Sequence, residues 1–398
     1  MLRRVSIFVA SFLLVQALLQ AGGWNNTLMG CRAISMGGAF AGVADDPSAI
    51  FYNPAGLVFQ KGNFNFSVDG FYIWPTHEYT LSTGSKIYSK YNSPLPQVFF
   101  TYKTSDRLTL GFGVYVPFAG GGIDWKKQDL GFPLRSTLAV VSFTPTIAYQ
   151  LSDKISLGFN LNFYRGVLNV KTEMNPFGPM SEEETGSTFS AGVGIMYKPS
   201  ERVNLGFSLR GPAKIKLAGT TSISFEMFNL KLDSETTFHT PWDMEAGFSY
   251  RITDRLLFSA SAQYTLWSVL DKVQKKIKDI PMTGNLEVDE ILDFKNIFIL
   301  RAGFEYLILP QGVFLRAGIG LDPSATPEST LSATNIDVNK VSLLGGIGYR
   351  AGKMQIDAVY AYAFGKEREK KLGELDGSMI EKYNLNVSIL GLAVTFSF

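Results

Sequence analysis

The chain has 398 residues with 37 basic and 35 acidic side chains, and this near balance excludes a global field directed at nucleic acid or an acidic substrate. A single cysteine excludes an internal disulfide, and two histidines leave little material for a histidine-based metal site. With 46% hydrophobic residues, the composition suits either a large soluble domain or a membrane protein.

The first element is an apolar run over residues 5–19, preceded by Arg3 and Arg4 and followed by small residues at 21–23. This pattern predicts a secretory signal peptide over residues 1–21. The run is too short to cross a bilayer as a helix, which takes about 20 residues. No later window is long and apolar enough either, so a closed β-barrel is the remaining way to cross a membrane.

The next segment, up to residue 60, contains small residues and turn signals instead of an alternating pattern. Aspartate before proline and the Asn-Pro step are typical of turns and helix starts. Residues 28–31 also resemble a lipobox, which would place a lipid on Cys31. The polar residues 24–27 separate that motif from the apolar run and argue against it.

From residue 100 onward the sequence repeats a strand, a tight polar turn and an alternating strand, as in 155–163 with apolar residues at odd positions. Six such turns predict six hairpins, at 105–107, 152–154, 200–202, 253–255, 310–312 and 351–353. With the flanking strands, the pattern predicts fourteen strands, at 63–74, 96–104, 107–117, 135–151, 154–168, 187–198, 202–217, 241–252, 255–268, 294–308, 312–321, 339–350, 353–365 and 383–398.

The connections between these hairpins are long and polar, at 75–93, 118–134, 169–187, 218–240, 269–293, 322–338 and 366–382. Long loops at one end and tight turns at the other are typical of outer-membrane barrels. The sequence therefore predicts an all-β fold, a transmembrane antiparallel β-barrel over residues 61–398 with both chain ends in the periplasm.

The last strand alternates through Leu392, Val394 and Phe396 to the aromatic C-terminus Phe398. This pattern resembles the terminal signal read by the outer-membrane assembly machinery, although an ordinary sheet strand would look the same. Upstream, the apolar residues fall on the opposite parity, which changes near Leu390. We expect a β-bulge there.

Residues 31–57, CRAISMGGAFAGVADDPSAIFYNPAGL, resemble the N-terminal hatch of the long-chain fatty acid transporter (FadL) family, which includes the toluene-type hydrocarbon transporters. Residues 209–219, 242–267 and 313–327 are similar to strand and loop pieces of that family in the same order. The resemblance implies a fourteen-stranded monomeric barrel, a small-helical plug over residues 22–60, and passive movement of hydrophobic substrates. We expect the plug residues Gly37, Gly38, Asp45, Asp46, Asn53, Pro54 and Ala55 to hold the plug in shape, because aspartate before proline starts turns and caps helices; the alternative is a direct contact of Asp45, Asp46 or the Asn53-Pro54-Ala55 step with the travelling ligand.

The family resemblance also implies that the substrate leaves sideways, through a break in the barrel wall near the third strand. Such a gap needs a strand that stops pairing locally, which proline, glycine or a bulge favours. The third strand ends in residues 115–122, YVPFAGGG. The candidates are Pro117, Gly120 and Gly121 at this end, or a bulge at Gly111 or Gly113; a plain start of the loop is the alternative.

The alternation places seven charged side chains in the lumen: Arg210, Glu245, Arg251, Arg301, Glu305, Arg316 and Asp357. Charges inside a barrel pair with one another or with the plug. The alternative is that Arg301 or Arg316 binds a fatty carboxylate, because a guanidinium suits a carboxylate bidentately. Arg210, Glu245, Arg301, Glu305 and Arg316 are therefore the candidate ligand-binding residues.

The sequence predicts neither a catalytic residue nor a metal site nor a cofactor, because no Ser/His pair and no metal-ligand spacing occurs. Lysines at 272–278 suggest a surface that faces anionic lipopolysaccharide, with a solvated loop as the alternative. The predicted function is an outer-membrane channel for long-chain fatty acids or aromatic hydrocarbons. The alternative is a shuttle or scaffold porin of a secretion system that binds protein partners through its external loops.

Overall fold

The structure is a computed structural model that describes residues 24–26, 29–174, 178–225, 228–281, 283–372 and 379–398. The predicted signal peptide at 1–21 lies outside the described residues. Three short helices are present in this part of the chain, α1 Cys31–Ser35, α2 Ala49–Tyr52 and α3 Lys127–Leu130, with 3-10 helices at Pro54–Phe59, Trp267–Val269 and Glu328–Thr330. Among the described residues, none of the helices has the length and apolar content needed to span a bilayer.

Twenty strands are described: β1 Phe64–Thr80, β2 Lys86–Lys90, β3 Ser93–Ser105, β4 Leu108–Trp125, β5 Leu134–Ser152, β6 Ile155–Met174, β7 Gly178–Ser200, β8 Val203–Arg210, β9 Lys214–Phe225, β10 Phe228–His239, β11 Asp243–Thr253, β12 Leu256–Thr265, β13 Lys272–Ile280, β14 Gly284–Ile291, β15 Ile297–Leu309, β16 Val313–Asp322, β17 Lys340–Ala351, β18 Met354–Gly365, β19 Arg368–Leu372 and β20 Met379–Ser397.

Fourteen of these described strands form a closed antiparallel barrel, which confirms the predicted fold class. The order around the wall is β1, β3, β4, β5, β6, β7, β8, β11, β12, β15, β16, β17, β18 and β20. The last strand closes the wall on the first, from Asn65↔Ser397 to Thr80↔Lys382. Because the last strand pairs with the first, the sheet has no terminal edge strand of the kind that a lipid environment would leave unpaired.

The six predicted tight turns join strands at one rim, which we call the turn end, where Phe398 also lies beside Phe64. At the opposite rim, the loop end, six additional strands prolong the wall. The predicted loops at 169–187, 218–240 and 269–293 are therefore wrong as loops, because β6–β7, β9–β10 and β13–β14 continue the hairpins through them. Their alternation of polar and apolar residues continues beyond the band that faces lipid.

The outer surface carries large apolar side chains midway between the rims, such as Phe112, Phe143 and Phe304, all of them exposed. These side chains alternate with buried residues that face the lumen, as expected for a barrel wall in lipid. The apolar band faces lipid, and the closed strand pairing separates the lumen from lipid on nearly all sides.

The inward face changes character along the barrel axis. On β5, Thr144 and Thr146 face the lumen near the turn end, whereas Leu138 and Val140 face it near the loop end. β20 shows the same change, and its ladders to β1 and β18 run through Leu390 without a register shift. The predicted bulge near Leu390 is therefore wrong: the parity changes because the lumen itself becomes apolar at the loop end.

Candidate functional site

Residues 29–60 lie inside the barrel and fill its lumen near the turn end; we call this segment the hatch. It turns sharply after α1, where Gly37 and Gly38 have φ angles of 75° and 74°. Side chains other than glycine rarely adopt this conformation. A Cβ on Gly37 would also lie 2.7 Å from the carbonyl oxygen of Ala302 in the wall. These two glycines thus let the hatch backbone touch the barrel.

The Asn53-Pro54-Ala55 step holds the second half of the hatch. The side-chain oxygen of Asn53 accepts a hydrogen bond from the Ala55 amide at 3.2 Å and so caps the 3-10 helix. Its side-chain nitrogen donates to the carbonyls of Ala41 and Ile195, each at 3.0 Å. One asparagine therefore joins two parts of the hatch to the wall strand β7.

A charged network fastens the hatch to the opposite wall. Arg32 forms ion pairs with Asp45 and Asp46 inside the hatch. It also donates two hydrogen bonds to Glu305 on β15, at 2.7 Å and 2.9 Å. Glu305 in turn accepts from Arg316 on β16 at 2.7 Å. Because Arg32 donates two parallel hydrogen bonds to Glu305, this ion pair is strong and is held in one orientation.

Burial opposes the charge on Arg32, but Asp45 and Glu305 outweigh burial and raise the pKa of its guanidinium. Burial raises the pKa of Asp46, although Arg32 and the Ser48 hydroxyl lower it in part. Asp46 accepts from the Ser48 amide at 2.9 Å and so starts the turn into α2. The two predicted aspartates therefore act in shaping the hatch.

Cys31 is buried in the same part of the hatch. Its thiol donates to the carbonyl oxygen of Asp357 at 3.4 Å, and its amide donates to the carboxylate of Asp69 at 2.9 Å. An acylated Cys31 could not occupy this position without moving the hatch, because the residue is only 1% exposed.

Above the hatch, toward the loop end, buried apolar side chains from most of the wall converge; we call this region the apolar level. Trp24 packs edge-to-face on Phe238 and on Phe294, with ring centroids 4.8 Å and 6.4 Å apart. Trp267 packs on Phe294 at 5.8 Å. Further members of this cluster are Phe118, Trp125, Leu138, Val140, Tyr164, Leu168, Ile215, Leu217, Ile297, Ile299, Leu331, Ile336 and Leu385.

The candidate arginines lie at or below the boundary between the two levels, and each has acceptors. Arg210 donates to the carbonyl oxygen of Phe51 at 2.9 Å and pairs with Asp243 at 3.4 Å. Arg301 donates to the Gln263 amide oxygen at 2.6 Å and pairs with Asp322 at 3.4 Å.

Arg316 lies deeper and pairs with Glu305 and with Asp357, each at 2.7 Å. Glu245 is buried, and its Oε1 atom has no hydrogen-bond partner among the described residues. Arg251, predicted to face the lumen, is exposed at the turn end and lines a cavity of about 600 Å³ below the hatch. The described side chains include no group of three or more His, Cys, Asp or Glu residues placed to hold a metal ion.

The wall has one seam where neighbouring strands separate. β3 pairs with β4 only up to Val98↔Val114, although both strands continue toward the loop end. The ladder runs regularly through Gly111 and Gly113, so the bulge suggested at either glycine is not found. Added side chains there would contact the hatch residues Ile50 and Leu57 or the Phe99 ring, so these glycines make room for packing.

The irregularities of β4 fall instead between Tyr115 and Phe118 and between Gly121 and Ile123, in its ladder with β5. Pro117 lies within the first of them, Gly120 between the two, and Gly121 at the edge of the second. The free edge of β4 is covered by Trp24–Asn26: the Asn26 amide donates to the Pro117 carbonyl at 2.8 Å, and the Ala119 amide donates to the Trp24 carbonyl at 3.0 Å. At the loop end the seam closes, because the Asp124 amide donates to the Ser89 hydroxyl at 2.7 Å.

Sequence reasoning missed the aromatic residues of the apolar level, above all Trp24, Phe238, Trp267 and Phe294. Trp24 precedes the hatch, and the other three fall in or beside stretches expected to be polar loops. The available signal was a large aromatic residue in or beside each of these polar stretches, because exposed loops seldom carry large aromatic side chains.

The family model described as "Outer membrane protein transport protein (OMPP1/FadL/TodX)" matches residues 14–398. Outer membrane protein P1 of Haemophilus influenzae is 24% identical over an alignment that covers 90% of this chain and 91% of that protein. The putative outer membrane protein NMB0088 of Neisseria meningitidis is 22% identical, with 96% of each chain covered.

Two solved structures have the same fold. A Pseudomonas aeruginosa FadL homologue superposes with a TM-score of 0.76 at 18% identity, over 96% of this chain and 98% of that one. The P. putida toluene transporter TodX superposes with a TM-score of 0.76 at 15% identity, over 92% of this chain and 97% of that one.

Proposed function

Because this chain belongs to the outer membrane protein transport protein (OMPP1/FadL/TodX) family, and is thus an outer-membrane β-barrel, we propose that it conducts uncharged hydrophobic small molecules across that membrane. The observation that carries the proposal is the apolar level, a lumen segment lined by aromatic and aliphatic side chains. A polar solute would gain nothing there, whereas each buried CH₂ group favours binding by about 0.8 kcal/mol.

The arginines bear on the class of substrate. Arg210, Arg301 and Arg316 each have a carboxylate partner and at least one further acceptor. At Arg210 or Arg301, a fatty carboxylate would have to displace a partner and leave it without its charge partner, which is costly. Arg316 has one nitrogen, Nη2, without a hydrogen-bond partner among the described residues, but its side chain is buried and already pairs with two carboxylates. Of the two predicted substrate classes, this arrangement favours aromatic or other uncharged hydrocarbons over fatty acids.

The test is equilibrium binding and uptake in liposomes, with an uncharged aromatic hydrocarbon and a long-chain fatty acid as ligands. Phe238→Ala removes a ring from the apolar level, and Phe248→Ala removes an exposed ring from the outer wall as the matched control. We expect the first variant to weaken hydrocarbon binding roughly tenfold, as loss of a buried aromatic contact implies, and the second to leave it unchanged.

Mass spectrometry of the purified barrel tests the same proposal without a chosen ligand. Retained hydrocarbons or lipids would support a channel. An empty barrel that holds a secreted protein instead would reject it in favour of the shuttle or scaffold porin.

For the exit route, we propose lateral passage through the seam beside β4. The unpaired stretch above Val98 and Val114 and its cover of only three described residues, Trp24–Asn26, support this route. Release into lipid keeps a hydrophobic ligand out of water, whereas the route below is filled by the hatch and its ion pairs. Moving Trp24–Asn26 aside would connect the apolar level with the bilayer.

A reversible cross-link tests this route. Asn25 and Phe118 face each other as a non-hydrogen-bonded antiparallel pair, which suits a disulfide. In a Cys31→Ser background, the pair Asn25→Cys and Phe118→Cys should block transfer to the bilayer when oxidised and restore it after reduction. Equal transfer in both states would reject the lateral route, and the two single cysteine variants control for the substitutions themselves.

Three further proposals concern the partners. The assembly machinery would read the C-terminal strand, which ends at the exposed Phe398. Lipopolysaccharide would contact the outward lysines of β13, Lys272, Lys276 and Lys278; the fourth lysine, Lys275, points inward and pairs with Glu182 instead. A wall that closes on itself through the pairing of β1 with β20 is compatible with a monomer.

A further inference from the structure

The connection between β16 and β17, residues 323–338, folds into the mouth of the barrel at the loop end; we call it the lid. Ala325, Leu331 and Ile336 in the lid are fully buried and belong to the apolar level. The indole nitrogen of Trp125, at the end of β4, donates to the carbonyl oxygen of Ala333 in the lid at 2.9 Å. The lid therefore forms the roof of the apolar level, as the hatch forms its floor.

The lid is organised around one carboxylate. Asp337 Oδ2 accepts hydrogen bonds from the amides of Ala325 and Thr326 at 2.8 Å and 3.1 Å, and from the Ser324 hydroxyl at 2.9 Å. These bonds join the first residues of the lid to the last ones. Such internal bonding lets the loop keep its shape when its outer contacts break.

Besides the Trp125 contact, polar contacts from two sides hold the lid. On one side, the Lys295 amide donates to the Ala325 carbonyl oxygen at 2.7 Å, and the Thr330 hydroxyl donates to the Leu292 carbonyl oxygen at 2.8 Å.

On the other side, β19 contributes two cationic side chains. Arg368 on β19 places its Nη1 atom 2.8 Å from the Ser324 hydroxyl, 2.8 Å from the Thr326 carbonyl oxygen and 2.9 Å from the Asp337 carbonyl oxygen. Lys370 on the same strand donates to the Leu331 carbonyl oxygen at 2.7 Å. Arg368 thus contacts both ends of the lid from a strand outside it.

We propose that the lid opens to admit hydrophobic ligand from the loop end, and that Arg368 is the latch that holds it closed. This inference rests on the proposed function, because it concerns access to the same apolar level. Arg368 is bonded to backbone carbonyls and a hydroxyl, which water can replace when the lid moves. The ion pairs of the hatch lack this property, since each of their carboxylates faces a buried arginine.

The test uses the full chain in detergent micelles or nanodiscs, with two readouts. Hydrogen exchange reports opening through the Lys295 amide, which lies outside the lid and donates to the Ala325 carbonyl oxygen at 2.7 Å when the lid is closed; we call exchange of this amide the lid exchange. Stopped-flow fluorescence with N-phenyl-1-naphthylamine, an uncharged hydrophobic probe, reports access to the apolar level. Arg368→Ala removes the latch, and Lys371→Ala, an exposed side chain on the same strand, is the matched control.

We expect Arg368→Ala to accelerate the lid exchange at Lys295 and the association of the probe roughly tenfold, the effect of losing about one charged hydrogen bond. Exchange in the hatch should not change, and Lys371→Ala should match the parent protein in both readouts. Unchanged lid exchange in Arg368→Ala would overturn the latch. Faster exchange with an unchanged rate of probe association would overturn the role of the lid in admission.

A parent protein that binds no hydrophobic probe would reject the proposed function and, with it, the admission of ligand. The exchange measurement still decides whether Arg368 holds the lid, since it needs no ligand. The two failures are therefore distinguishable.

Discussion

The two levels of the lumen are built from the same strands by different chemistry. Near the turn end, β5 presents Thr144 and Thr146 to a hatch fixed by hydrogen bonds and ion pairs. Near the loop end, the same strand presents Leu138 and Val140 to an apolar cluster without ion pairs. Directional partners fix the lower level, whereas contacts between apolar side chains dominate the upper level, with a few hydrogen bonds such as that of Trp125 to Ala333.

This difference determines which part of the lumen can rearrange at a low cost in free energy. Opening the hatch would separate Arg32 from Glu305 and leave charges buried without partners. Displacing side chains in the apolar level costs only contacts that a hydrophobic ligand can replace. The contrast separates a plug held by directional bonds from the region that we propose as the ligand site.

The largest expected effect comes from breaking the polar level. Glu305→Ala leaves Arg32 and Arg316 without the carboxylate that they share. Removing one partner of a buried ion pair lowers the free energy of unfolding by about 3–5 kcal/mol. Thermal unfolding, followed by circular dichroism and by the shift between folded and unfolded bands on gels, measures the loss.

Glu173→Ala is the matched control, because Glu173 forms an exposed ion pair with Lys127 at 2.7 Å. Exposed pairs contribute less than about 1 kcal/mol. Equal losses in the two variants would show that the hatch network contributes no more than a surface pair, and the contrast between the levels would fail.

The next effect tests how closely the hatch fits the wall. A Cβ on Gly303 would overlap the backbone of Met36 in the hatch, whereas a Cβ on Gly345 would have only the Arg316 carbonyl oxygen within 4 Å, at 3.9 Å. Gly303→Ala should lower the free energy of unfolding by about 1–3 kcal/mol, as overpacking does. Gly345→Ala should change it by less than about 0.5 kcal/mol, and comparable losses would mean that the hatch yields to the added methyl group.

The sequence alone predicted the barrel well, because the patterns that indicate strands and tight turns lie within short stretches of the chain. A period of two and acid-base tight turns are visible within ten residues, and they led to fourteen strands. The hatch network is not local: Arg32 and Glu305 are 273 residues apart. Nothing in either neighbourhood marks them as partners, so the alternation could place Glu305 in the lumen but could not identify Arg32.

The apolar level was missed for a different reason. Alternation was interpreted with one rule for the whole strand, apolar toward lipid and polar toward the lumen. On β20 that rule required a bulge near Leu390, whereas the regular ladder places Leu385 and Ile389 in an apolar lumen. Near the loop end, the positions at which apolar residues alternate therefore indicate an apolar lumen, and a single rule for the whole strand misses this.

The smallest expected effect comes from exchanging one residue in each level of the lumen on the same strand, β5. The Thr144 hydroxyl in the polar level lies 3.1 Å from the Tyr115 hydroxyl and donates to the Asn162 Oδ1 atom at 3.2 Å, so Thr144→Val removes those bonds. Val140→Thr places a hydroxyl in the apolar level, among aliphatic and aromatic side chains. Each exchange should lower the free energy of unfolding by about 1–2 kcal/mol, for opposite reasons.

Ligand binding separates the two exchanges. Val140→Thr should weaken binding of an uncharged aromatic hydrocarbon, because the hydroxyl loses its access to water when the ligand covers it, whereas Thr144→Val should leave affinity unchanged. If Val140→Thr instead keeps full stability and full affinity, water already reaches that position. The apolar level would then be a hydrated passage rather than a dry one, and the preference for uncharged ligands would have to come from the seam beside β4.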